Sequence, residues 1–111
     1  LSLVNVPGSS LYRLSDYKML IGAGPEKAVA STKAFTGMVA HLILLAYALD
    51  GGMEEGQNAL VAATGSVNQV LSPKSLRQIS LLASQIVDKK HIYVIGRGLS
   101  YPASLETALK I

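Results

Sequence analysis

The sequence predicts an α/β protein built on a parallel sheet. Two observations carry this reading. Short apolar runs with little polar interruption alternate with longer helical patterns, and glycine or proline closes each run. In order, "LSLVNV" (1–6) reads as a strand stopped by Pro7-Gly8, after which Ser9-Ser10 can cap a short helical turn through Leu14. "YKMLIG" (17–22) is a second strand, ended by Gly22, Gly24 and Pro25. A helix then starts near Ser31 or Thr32 and runs to Leu49, where Asp50-Gly51-Gly52 stops it. Its apolar residues cover most of its circumference, which predicts burial nearly all round, between a sheet and a partner subunit.

Residues 54–71 form a weaker helical pattern, diluted by Gly56 and Gly65. Ser72-Pro73 punctuates, and 75–88 is amphipathic, with Leu76, Ile79, Leu82, Ala83 and Ile86 on one face. "IYVI" (92–95) reads as a third, buried strand. Gly96-Arg97-Gly98 follows, and then a helix with Pro102 in its first turn, where a missing N–H costs nothing.

Composition narrows the classes. Half of the 111 residues are hydrophobic and 15% are charged, which excludes a disordered chain and allows one small core. The chain opens on strand-like residues without a methionine and stops inside a helical pattern, so an internal piece of a longer protein is expected. With no cysteine, disulfides, zinc–thiolate sites and a cysteine nucleophile are excluded within these residues. The net charge of +3 is spread along the chain, with Lys89-Lys90 as the only adjacent basic pair, and this argues against nucleic acid. The greasiest window, 34–49, is interrupted by Thr36, Gly37 and His41 and is too short for a membrane span.

Chemistry is expected at two places. In "IYVIGRGLSYPASLETALKI", strand, glycine turn and helix start follow directly, the arrangement at which open α/β sheets bind ligands. A dinucleotide fingerprint would need a third glycine where Tyr101 stands, so a nucleotide-binding reading is disfavoured. Glu106 and Lys110 lie one turn apart. Spacing alone does not choose between a surface ion pair and two proton-moving groups facing a crevice. The other place is "AGPEKAVASTKAFT" (23–36). Ser31 and Thr32 are natural N-caps, and Ala28 and Ala30 leave room for a ligand near the backbone. Lys33 opposes the helix dipole unless an acid or an anion offsets it. His41, mid-helix among apolar residues, is read as a hydrogen-bonded core histidine, and the scattered tyrosines form no stacking platform.

Three stretches together, "VNVPGSSL" (4–11), "AGPEKAVASTKAFT" (23–36) and "IGRGLSYPASLETALKI" (95–111), resemble the double-SIS-domain sugar-phosphate isomerase family. The resemblance implies a flavodoxin-like, three-layer parallel sheet with helices on both faces, present here as a segment spanning two SIS domains. Residues 1–50 would be the C-terminal part of the first, 51–90 a helical connector, and 91–111 the start of the second. It implies action on hexose 6-phosphates, with amination or deamination at C2; a cytoplasmic protein needing no cofactor or metal is expected, and the nearly all-round apolar helix 31–49 predicts a homodimer or higher oligomer. Val29, Ala30 and Ser31 look like the segment lining the sugar-phosphate pocket. Glu106 and Lys110 look like the first two members of a catalytic Glu–Lys–Glu set, whose last glutamate would lie beyond Ile111. The segment by itself is therefore expected to be inactive. The rival is a non-catalytic SIS module that senses a sugar phosphate and regulates a partner.

Overall fold

Two strands and five helices follow one another along the chain, and the computed structural model describes all of residues 1–111. They divide into two compact units, Leu1–Thr64 and Gly65–Ile111.

The first unit begins with β1 (Ser2–Val4), α1 (Ser10–Leu14) and β2 (Lys18–Leu20). The strands pair in parallel, with Ser2 opposite Lys18, Leu3 opposite Met19 and Val4 opposite Leu20. Parallel strands cannot be joined by a tight turn and need a crossover of about a dozen residues or more, which residues 5–17 supply. The ladder extends at both ends, where Ser2 N–H donates to the Tyr17 carbonyl and Ile21 N–H to that of Val4. Ser9 caps α1 as expected, its hydroxyl accepting from Tyr12 N–H at 3.4 Å.

Helix α2 (Lys33–Leu49) packs onto this unit through its first turns. Val4, Ile21 and Ala34 are the buried apolar residues. Gly37 lies directly beneath Ile21, and a Cβ added there would collide with the Ile21 Cγ2 methyl. The glycine that interrupts the apolar window is thus the contact that lets the helix approach. A second glycine acts likewise after the Asp50–Gly52 turn: Gly56 of α3 (Met53–Val70) is buried, and a Cβ on it would come within 2.8 Å of Tyr47 Cβ. Glu54 and Glu55 in the first turn of α3 complement its dipole.

The expected all-round burial of α2 is not met within the chain. Ala34 is its only buried residue, while Leu42 is 54% exposed and Phe35, Val39 and Ile43 are also open to solvent. A two-stranded sheet of three-residue strands is too small to cover such a helix. What stands of the predicted fold class is its coarse form, helices with a small parallel sheet.

In the second unit, α4 (Pro73–Ile86) starts at Ser72, whose hydroxyl accepts from Ser75 N–H at 3.3 Å, with Pro73 at the first helical position. Helix α5 (Ser100–Lys110) follows the glycine turn. Residues 92–95, read from sequence as a strand, form no regular element and belong to no sheet. The reason is that a strand is defined by its neighbours: without a ladder partner, apolar β-branched residues have no sheet to join.

Candidate functional site

The stretch 23–36 is built by side chains gripping backbone. Beyond Ile21 the β1–β2 ladder has run out of strand, and the Asn5 carboxamide takes its place. Asn5 Oδ1 accepts from Ala23 N–H at 3.0 Å, and Asn5 Nδ2 donates to the Gly24 carbonyl at 2.6 Å. Gly24 has φ of 71°, so the chain turns there in a conformation that side chains rarely adopt. Asn5, Val6, Pro7, Gly24 and Pro25 line an open hollow of about 260 Å³.

The far end of the stretch is gripped by Glu26. Its Oε1 accepts from Ala34 N–H at 2.8 Å and from Thr32 N–H at 3.3 Å. These are donors of the α2 N-terminus that lack partners within the helix. Thr32 occupies the N-cap position, but its side chain makes no capping bond, and Ser31 Oγ accepts from Phe35 N–H at 3.2 Å. The expectation that Ser31 and Thr32 cap the helix therefore holds for Ser31 and fails for Thr32, whose role a carboxylate six residues upstream has taken. Glu26 also explains Lys33. The acid that offsets a lysine at the positive end of the helix is supplied within the chain, so Lys33 by itself gives no sign of a bound anion.

The Ala34 N–H is the chief cause holding the Glu26 carboxyl below its ordinary value of 4.5. Partial desolvation opposes it, while the Thr32 N–H, the Lys33 charge and the Ser31 hydroxyl reinforce it. A depressed carboxyl stabilises the fold above the unfolded-state value. That contribution is lost as pH falls through the lowered folded-state value.

Between these grips lie the predicted pocket residues. Val29 projects fully into solvent, and Ala30 and Ser31 are half-buried. An apolar side chain so exposed on a loop fixed at both ends contributes nothing to the core of this unit. His41, by contrast, is absorbed by its own helix, with Nδ1 2.8 Å from the Gly37 carbonyl.

In the second unit, Glu106 and Lys110 are brought together on α5, with Lys110 Nζ 2.8 Å from Glu106 Oε2. The two form an i,i+4 contact, and both side chains retain access to water. Ser104, on the same helix, is buried and donates its hydroxyl to the Tyr101 carbonyl at 2.7 Å. At the preceding turn, a Cβ on Gly96 would run into the Ser100 carbonyl, so this turn closes directly on the start of the helix.

Sequence reasoning did not single out Asn5 or Glu26. The signal for Asn5 was a polar residue at the end of an apolar strand. No local rule reaches Glu26, because capping patterns look three residues from the cap and not six. No group of three His, Cys, Asp or Glu side chains is gathered where it could hold a metal ion, and no helix is long and apolar enough to cross a membrane.

Fold and site together define an α/β chain with a parallel β–α–β unit, a side-chain-clasped loop and a carboxylate–ammonium pair on a helix. Comparison with known proteins is more specific. Over its whole length the chain is 42% identical to glutamine–fructose-6-phosphate aminotransferase (isomerizing) of Salmonella typhimurium. It is 41% identical to that of Escherichia coli K12 and 39% identical to that of Vibrio parahaemolyticus. The resemblance carried by the three sequence blocks thus extends across the full chain. All of this chain aligns, but it spans only 19% of the length of these relatives. No family model matches the chain, and no solved structure matches it.

Proposed function

We propose that this chain is part of a sugar-phosphate isomerase acting on hexose 6-phosphates such as fructose 6-phosphate and glucosamine 6-phosphate, with amination or deamination at C2. The observation that carries the reading is identity of 39–42% from end to end with glutamine–fructose-6-phosphate aminotransferases. In this reading, residues 1–50 close a first SIS domain, 51–90 connect, and 91–111 open a second. Val29, Ala30 and Ser31 line the sugar-phosphate pocket. The fixed loop offers them as a preformed wall, and an exposed Val29 suits a position that a ligand covers.

Glu106 and Lys110 supply the proton chemistry. Moving a carbonyl between C1 and C2 requires a proton to leave one carbon and return to its neighbour while the oxygens exchange theirs. A carboxylate held 2.8 Å from an ammonium orients the two groups toward each other for that exchange. These two residues alone do not complete the set, so residues 1–111 by themselves are inactive in this reading. The apolar surface of α2 is covered by a second subunit in a cytoplasmic homodimer or higher oligomer, because a helix with Leu42, Ile43 and Val39 all open to water is rarely left so.

The test is to incubate the full-length protein with glucosamine 6-phosphate alone and follow fructose 6-phosphate and ammonia. Appearance of both supports the reading. Binding without turnover moves the sugar-phosphate sensor ahead of it, and absence of binding overturns both.

A further inference from the structure

We propose that Glu26 is the positioning residue of the sugar-facing loop, holding the backbone of residues 29–31 in register by clasping the first turn of α2; this rests on the function proposed above. Four observations converge on it. Glu26 lies at the entrance of the loop, just past Gly24 and Pro25, and the donors it grips lie at the exit, on Thr32 and Ala34. Closing a loop with one carboxylate restricts the residues between. The Asn5 carboxamide fixes Ala23 and Gly24 from the other side, so the loop is pinned at both ends by side chains and not by sheet hydrogen bonds. Lys33 Nζ lies at the same turn, 3.8 Å from where a Cβ on Gly24 would stand, and its charge and the hydroxyl of Ser31, itself one of the proposed pocket residues, act on the same carboxylate.

A second consequence follows from the same contact. The positive end of α2 is occupied by the protein's own carboxylate, so the helix has no open N–H cradle there for the ligand's phosphate. Residues 29–31 therefore meet the uncharged part of the sugar. Loss of Glu26 frees the loop and raises the cost of ordering it around a ligand, which weakens binding without touching the proton-transfer groups.

The experiment compares Glu26→Ala and Glu26→Gln in the full-length protein, with fructose 6-phosphate as the varied ligand. Glu26→Ala is expected to raise KM about tenfold, the size of losing a charge-assisted hydrogen bond, with kcat within about twofold of the parent. Glu26→Gln keeps an oxygen acceptor for the same N–H groups and is expected to restore part of the loss. A lowered melting temperature with KM unchanged in both variants would show a purely structural cap and overturn the inference. If Glu26→Ala does not fold, Glu26→Gln decides alone: a raised KM supports the inference, and an unchanged one overturns it. A parent protein that neither binds nor converts hexose 6-phosphates removes the function and this inference together. A parent that binds alongside a Glu26→Ala variant that binds equally well removes the inference only.

Discussion

The two units are held together by different kinds of contact. In Leu1–Thr64, side chains reach across the chain: Asn5 grips residues 18 and 19 positions away, and Glu26 grips one eight positions away. In Gly65–Ile111, side-chain hydrogen bonds such as those of Ser72, Ser75 and Ser104 reach no more than six positions and serve a helix, its cap or the turn from α3 to α4. The first unit therefore specifies a loop conformation, whereas the second specifies helices. A site that needs backbone held in a non-repetitive shape belongs in the first kind of structure. A site that needs two side chains at fixed spacing can be met by the second.

Substitutions can break this contrast in order of expected effect. Gly37→Val drives a branched side chain into Ile21 and should destabilise the first unit by about 1–3 kcal/mol, read from the denaturation midpoint. Asn5→Ala removes both carboxamide bonds and should cost about 1–2 kcal/mol. Its signature is faster hydrogen exchange at the Ala23 amide, and unchanged exchange there would show that the ladder needs no side-chain rung. In the second unit, Ser72→Ala should cost about 1 kcal/mol, the usual worth of an N-cap, with faster exchange confined to the first turn of α4. Spread of that effect into Leu1–Thr64 would erase the contrast. The smallest stability effect belongs to Glu106→Gln, about 0.2–0.5 kcal/mol for an exposed i,i+4 pair. In the full-length protein the same change should lower kcat at least about a hundredfold if Glu106 moves protons. Unchanged turnover would return the pair to a surface ion pair.

The same contrast explains what was legible in the sequence. The helix start at Ser9 and the stop at Asp50-Gly51 follow from rules that span four residues or fewer, and both are found where the residues put them, whereas the helix expected from 75 opens earlier, capped by Ser72 with Pro73 at its first position. Two strands and a parallel sheet were legible from apolar runs at 1–6 and 17–22 separated by a helical turn, and they narrow to the paired segments 2–4 and 18–20. Residues 92–95 carry the same kind of apolar run, yet whether such a run becomes a strand depends on a neighbour that its own residues do not encode. The predicted covering of α2 likewise concerned what lies opposite the helix, and that is not written along it. Asn5 and Glu26 escaped notice because their partners are defined only once the chain has folded back.

Gly37 and Glu26 sit on two sides of one rigid object. The first turns of α2 rest on Ile21 through the glycine and are tied to the loop through the carboxylate. A push at one contact tilts the rod and stretches the other, so the two positions share a single mechanical degree of freedom. Their energies should therefore fail to add. In a double-mutant cycle, Gly37→Ala and Glu26→Gln should show a coupling energy of about 0.5 kcal/mol or more, as contacts joined through one backbone shift do.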